Sequence, residues 1–438
     1  MSTEPQSAAR LPTKSFAIIF GVSIVTALGN TGMQSVLPAI GRSIGFPDWQ
    51  VAAIFSLSAL LWAFSSPLWA RQSDRGGRKP MMIVGLAGFL VSMVCCGAVV
   101  SAGVRHLAAP IVIFVLFLLS RALFGLFGAA SNPATQAYVA ERTHRDERTQ
   151  AMAGLAGAFG LGTIVGPAVA PLFVLPVVGL AGPMFAFALI AAGMIVVVAR
   201  GLPEAKGPPR VDTVVEDIPG GAVKGRPLLR DPRLTPFLIY GFLVSACQTA
   251  QGQTLGFQVI DKLHLPPMQA QGYTAVAMMA GAVAGLLAQW GLIRMFRMGP
   301  RHLLRWGVAV AALANLIVAF APSYSGLVMG YALSSLGYGF CRPGFTAGAS
   351  LAVSQAEQAR AAGAIAAVNG VNVVVAPLFV LLYGVWRPAP FLVNVVTLGA
   401  LLVFALTNGV LANAGEAPTT EDEAAQSSLE RSQEGVSV

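Results

Sequence analysis

Charge is scarce in this sequence. Only 11% of its 438 residues are Asp, Glu, Lys or Arg, against about 25% in an ordinary soluble domain. With 55% hydrophobic residues, a water-soluble chain would lack the polar surface to cover its core. Alternating apolar and polar runs of the barrel type are missing, which argues against a membrane β-barrel. The four cysteines, Cys95, Cys96, Cys247 and Cys341, fall in apolar stretches without metal-ligand spacing. They read as small buried hydrophobes rather than a zinc site or a disulfide framework. There is no phosphate-cradling loop, no metal-ligand cluster and no nucleophile beside a base. No enzymatic activity, metal or cofactor is therefore expected.

What the sequence has instead is long apolar blocks. A bilayer core takes about 20 helical residues to cross. Lipid offers no partner for backbone N–H and C=O groups, so each block must be a helix. The blocks fall at 16–40, 51–70, 81–102, 109–130, 151–174 and 180–199, then at 237–259, 271–293, 303–320, 327–351, 361–383 and 391–411. The first is longer than the apolar region of about 7–15 residues in a cleaved signal, so it reads as a retained span. The expected fold is an all-α membrane protein of about twelve transmembrane helices. Its expected organisation is a tail at 1–14, a six-helix bundle at 15–200, a linker at 201–236, a second bundle at 237–413 and a disordered tail at 414–438. The linker is rich in Pro, Gly and charge, and the last tail is polar and acidic.

The net charge of +9 raises nucleic acid as a partner, but its placement points to topology. With the N-terminus inside, the inner loops hold Arg71, Arg75, Arg78, Lys79, Arg142, Arg145, Arg148, Arg294, Arg297, Arg301 and Arg305. The outer loops hold only Arg42, Arg105, Lys262 and Arg387. That asymmetry puts both termini in the cytoplasm of a multi-pass inner-membrane protein, with the lipid bilayer rather than nucleic acid as partner. Internal repetition supports two halves: the run VAPLFVL at 169–175 recurs at 375–381, and Pro133 of the fourth span has a counterpart in Pro343 of the tenth.

Three segments carry motifs. The loop after the second span reads PLWARQSDRGGRKP at 67–80. Its glycines permit a tight turn, its arginines anchor the inner side, and Asp74 is placed to pair across the bundle or cap a helix. Arg121 stands near the middle of the fourth span, where a charge costs at least about 2.5–3.5 kcal/mol unless it faces a wet cavity or a partner. The alternative there is a structural arginine satisfied by backbone carbonyls. In the fifth span Gly154, Ala158, Gly162, Gly166 and Ala170 form a ridge of small residues at spacing four. Such a ridge lets another helix approach closely, and Pro167 bends the helix by removing a donor.

The first of these segments resembles the signature loop GxxxDRxGRR of the major facilitator superfamily. Asp74, Arg75, Gly77, Arg78 and Lys79 match, and Ala70 stands in the place of the leading glycine. RALFGLFGAA at 121–130 resembles the fourth-span motif RxxxGxxxA of drug:proton antiporters in that superfamily, and Gly162, Gly166 and Pro167 resemble the exporter motif GxxxGP. The stretch 137–151 resembles the corresponding loop of tetracycline-efflux-like proteins and supplies Glu141 as a partner for the basic loop. The second-half loop keeps Arg297 and Gly299 but has Phe296 in place of the acid. The resemblance implies a fold of two pseudo-symmetric six-helix bundles. It also implies a conformational latch at Asp74, Arg75, Gly77, Arg78, Lys79 and Glu141, and a hinge or seal between the halves at Gly162, Gly166 and Pro167.

In that superfamily the first, fourth, seventh and tenth spans line the central cavity. The candidates for substrate binding are accordingly Asn30, Gln34, Arg121, Gln248, Gln251, Tyr338 and Arg342. Interhelical hydrogen bonding is the alternative reading for the amides. The sequence departs from the antiporter pattern in one respect: no carboxylate lies within a span. Asp48 and Asp261 fall at outer ends, and Asp74, Glu141 and Glu357 at inner ones. Arg121 and Arg342 leave the cavity net positive, which favours an anionic or zwitterionic substrate. The expectation is a monomeric secondary transporter exporting a drug-like or metabolite molecule, with proton coupling open. The alternative is an importer or facilitator of an organic anion on the same fold.

Overall fold

The structure is a computed structural model that describes residues 12–143, 145–175, 177–203, 231–353 and 372–415, with positions 357, 361, 364, 365 and 368. Most of the expected tails and of the expected linker lies outside the described residues, as does most of the first part of the eleventh span.

The helices follow the order of the expected spans. α1, Thr13–Ile44, stops at Gly45, whose φ of 88° is left-handed and whose N–H bonds back to the Gly41 carbonyl. α2, Asp48–Gly76, and α3, Arg78–Val104, are separated by Gly77 alone, at φ 93°. A residue with a Cβ would be strained there. α4, Pro110–Glu141, opens on proline at its first turn and passes through a short 3-10 turn at Gly128–Ala130. α5, Arg145–Val169, contains Pro167 and tightens into a 3-10 turn at Ala170–Phe173, within which Pro171 has no N–H to give the α ladder. α6 is Gly182–Gly201.

The second half repeats the series. α7 is Thr235–Leu263 and α8 is Pro267–Met295, with a π-helical stretch at Leu287–Leu292. α9 is Pro300–Phe320, α10 is Tyr324–Leu351, α11 is Asn372–Val385 in its described part, and α12 is Ala389–Thr407. Among the described residues nine helices are long and apolar enough to cross a membrane by length and composition. α7 and α10 are of similar length, 29 and 28 residues, and carry more polar side chains. Large apolar residues such as Leu189 on α6 and Val396 on α12 point outward, 75% and 73% exposed, as a lipid-facing wall requires.

The two halves share a packing plan. α2 packs on α4, and α3 on α4 and α6; six helices later, α8 packs on α10, and α9 on α10 and α12. Between the halves α2 meets α11 and α5 meets α8, again a symmetric pair, while α1 meets both α7 and α8. The seal is not uniform along the bundle. At the end away from the chain termini, Phe257 and Val259 of α7, Val318 of α9, Leu327 of α10 and Val380 of α11 join the apolar core of the first half. At the terminal end the second half keeps a core of its own, around Phe237, Tyr240, Leu304, Phe345 and Leu401. The halves are therefore fused at the far end and hold separate cores at the terminal end.

Candidate functional site

Arg121 is 1% exposed and sits inside the first half. One Nη2 hydrogen donates to Oδ1 of Asn30 on α1, and the guanidinium lies over the Phe124 ring at 4.5 Å and the Phe55 ring at 5.1 Å. Those aromatic faces offset part of the cost of burying a cation. Ser58 Oγ donates to the Arg121 carbonyl at 3.1 Å, which ties α2 to α4 at this level. Among the described residues Nε and Nη1 have no hydrogen-bond partner, and no carboxylate pairs with the guanidinium. Arg121 and Asn30 are thus brought together as one polar point in an apolar wall. Gln34, one turn further along α1, is half-buried.

The second-half candidates divide. Gln248 on α7 and Arg342 on α10 are exposed. Gln251 is buried and donates through Nε2 to Ser334 Oγ at 2.6 Å, and the Ser334 hydroxyl donates in turn to the Tyr331 carbonyl at 2.8 Å. Tyr338 is buried and accepts from Asn315 Nδ2 at 3.0 Å. Asn394 of α12 donates to Asn315 Oδ1 at 3.0 Å and to the Cys247 carbonyl at 3.1 Å. Gln251 and Tyr338 thus hold α7, α9, α10 and α12 together inside the second bundle.

The small-residue ridge of α5 packs against α1. A Cβ on Gly166 would lie 2.5 Å from Thr31 Oγ1 and 2.9 Å from the Gly32 nitrogen; one on Gly154 would lie 2.8 Å from the Phe16 ring. From the sequence, Gly162, Gly166 and Pro167 read as a hinge or seal between the halves. The structure puts the two glycines at a contact within the first half. The side of α5 that faces the second half carries Gly157 and Gly160 instead, near Trp290 and Leu286 of α8.

At the terminal end Arg78 gathers two acids. Its Nε donates to Glu141 Oε1 at 2.9 Å, and its Nη1 to Asp74 Oδ1 at 2.6 Å and Ser73 Oγ at 3.1 Å. Arg142 lies over the Tyr138 ring at 3.7 Å and pairs with Glu141 at 3.5 Å. Arg75 is exposed and Lys79 half-buried. In the second half Arg233 pairs with Asp231 and Glu357 at 3.0 and 3.1 Å, and the bond to Asp231 leads in holding its guanidinium above the usual range. These described pairs each stay within one half.

A sequence profile described as Major Facilitator Superfamily matches residues 19–377. The chain belongs to the Major Facilitator Superfamily. It is accordingly a multi-pass membrane transporter and not an enzyme. Multidrug resistance protein 1 of Bacillus subtilis (strain 168) is 26% identical over 345 residues, covering 77% of this chain and 79% of that protein. The class D tetracycline resistance protein of Salmonella ordonez is 31% identical over 160 residues, 36% of this chain and 37% of that one. Both likenesses are consistent with the resemblance to the drug:proton antiporter-like branch of the superfamily. A bacterial homologue of the human lysosomal transporter Spinster, in an inward-facing and unoccupied conformation, superposes with a TM-score of 0.71 at 15% identity. That match covers 93% of this chain and 99% of the other, and it shows the shared major facilitator fold.

Sequence reasoning missed one cluster in this superfamily member. At the far end Arg42 of α1 pairs with Asp48 of α2, at 3.1 and 2.8 Å, and with Asp261 of α7. Tyr383 of α11 donates to Asp261 at 2.8 Å, and Arg387 lies 3.6 Å away. The cluster joins the two halves where their cores are already fused. Its only sequence signal was a handful of charges at outer helix ends, without any indication of which ends meet.

Proposed function

We propose that this transporter exports an anionic or zwitterionic small molecule by alternating access between its two bundles, 15–200 and 237–413, acting as a monomer in the cytoplasmic membrane. The observation that carries the substrate charge is Arg121. A cation at bilayer depth costs at least about 2.5–3.5 kcal/mol, and two of its donor nitrogens are unspent. A carboxylate or phosphate arriving beside Asn30 would satisfy both and neutralise the charge. Gln34 and the exposed Gln248 and Arg342 supply further polar contacts along the path between the halves.

The fused far end and separate terminal-end cores support a state open toward the termini. The excess of Lys and Arg at that end supports its assignment to the cytoplasm. The latch residues Asp74, Arg75, Gly77, Arg78, Lys79 and Glu141 lie at the same end, where they would stabilise the alternate, cytoplasm-closed state. The names of the multidrug and tetracycline resistance relatives support export over uptake. The test is transport in proteoliposomes of known orientation, with and without an ionophore, across anionic, zwitterionic and cationic compounds. Anion movement out of the cytoplasmic face supports export. Accumulation in the opposite sense would replace it with import, and selectivity for cations would remove the Arg121 argument.

A further inference from the structure

The second half carries its charge unevenly. Between Asp261 and Glu357 the sequence has no Asp or Glu, yet it holds five arginines. Four of them, Arg294, Arg297, Arg301 and Arg305, gather with His302 around the turn between α8 and α9. Arg294, Arg297 and His302 are exposed. The corresponding turn of the first half is balanced by acids of its own bundle: Arg78, directly after Gly77, holds Asp74 and Glu141. In the second half Gly299 stands in the place of Gly77, Pro300 in that of Arg78, and Phe296 in that of Asp74. Phe296 is 65% exposed, an apolar ring at a water-facing turn. Glu357, the next acid along the chain, pairs with Arg233.

The end of the chain is led to this turn. Past α12, Leu411 and Ala414 are buried in the second-half core, and Arg305 Nη2 donates to the Ala412 carbonyl at 3.0 Å. Arg305 Nε is buried and has no hydrogen-bond partner among the described residues. Gly415 then lies against Pro300: a Cβ on it would stand 2.8 Å from Pro300 Cδ. Directly after Gly415 the sequence reads EAPTTEDE at 416–423, with Glu416, Glu421, Asp422 and Glu423 and no base. Covalent geometry limits Glu421 to about 22 Å from Gly415 and Arg297 to about 11 Å from Pro300, so the acids can reach the turn. A short covalent tether also gives an effective concentration on the order of 1 mM, which sets this segment ahead of a free anion.

We propose that the acidic segment 416–423 docks on the α8–α9 turn and gives Arg294 and Arg297 the counter-charge that Phe296 omits. The first half balances its basic turn with acids of its own bundle, and the second half recruits acids from beyond its last span. The contact is electrostatic and lies at a water-facing surface. It therefore holds at low salt and fails as the screening length shrinks from about 10 Å at 0.1 M to about 3 Å at 1 M. Anionic lipid headgroups are the competing occupant of arginines at this level, and the tether favours the segment over them. The docking depends neither on the direction of transport nor on the charge of the substrate.

Spin labels at Phe296→Cys and Ala424→Cys read the docking as a distance. The four native cysteines are replaced by alanine, and the full chain is held in nanodiscs of phosphatidylcholine, alone or mixed with phosphatidylglycerol. At about 0.05 M salt the labels show a narrow, short-distance population in both lipids, and it is lost at about 1 M salt. Glu416→Gln, Glu421→Gln, Asp422→Asn and Glu423→Gln together lose it at low salt, as does the pair Arg294→Gln and Arg297→Gln. Both sets of substitutions lie outside the buried cores, so the melting temperature stays that of the labelled parent. A broad distribution in the otherwise native chain at low salt overturns the proposal, and so does a narrow one that survives neutralising the segment. A narrow population seen only without phosphatidylglycerol gives the turn to lipid headgroups and overturns it as well.

Discussion

A Cβ on Gly162 of α5 would stand 2.7 Å from the carbonyl oxygen of Ile24 on α1. The two helices meet backbone to backbone, so Gly162→Val forces the pair apart. Overpacking of this kind costs about 1–3 kcal/mol or more. Thermal melting in detergent should fall by several degrees. Gly160→Ala is the contrast, since its Cβ would meet only the Leu286 side chain at 3.7 Å, and its melting should stay near that of the unmodified chain.

Tyr338 and Asn394 sit in one buried chain of hydrogen bonds, and their removal should differ in cost. In Tyr338→Phe, Asn315 Nδ2 keeps its bond to the Ala311 carbonyl at 2.8 Å, so the loss is about 1 kcal/mol and transport is retained. Asn394→Leu orphans Asn315 Oδ1, a loss of about 1–3 kcal/mol for a buried group left unpaired, and removes the second bond to the Cys247 carbonyl, which keeps its place in the α7 backbone ladder. Melting curves rank the two. A Tyr338→Phe chain that melts normally but no longer transports would instead put the hydroxyl on the substrate path.

The Arg78–Glu141 pair predicts the opposite split. Its members are partly exposed, at 18% and 33%, and exposed pairs contribute about 0–1 kcal/mol. Glu141→Gln should therefore leave the melting temperature within a degree or two while lowering the transport rate several-fold, as the proposed latch role, which acts on the balance between two states, requires. Equal losses in both measurements would make the pair structural only.

How far the sequence anticipated this site depended on the kind of question. Span positions were legible because lipid demands about 20 apolar residues per crossing, and the Gly162–Gly166 ridge was legible because small residues at spacing four mark one helix face. Which partner that face meets was not, since α1 and α8 both lie beside α5. Gln251, Ser334 and Tyr338 showed the same limit: helical spacing groups side chains on a face without saying whether that face looks into a cavity or into its own bundle. Asp261 was noted only as an outer-end charge. Its tie to Arg42 spans 219 positions and depends on how two separate bundles dock.

The central claim is that Arg121 selects a negatively charged group, and Arg121→Leu tests it most directly. Removing a cation that costs at least about 2.5–3.5 kcal/mol at bilayer depth should leave the protein folded, with melting unchanged or raised. Initial transport rates are then measured in proteoliposomes for matched anionic, zwitterionic and cationic compounds. The account predicts that the unmodified chain moves anions or zwitterions and that Arg121→Leu loses that transport at least tenfold while remaining folded. Cation-selective transport that persists undiminished in Arg121→Leu would contradict it.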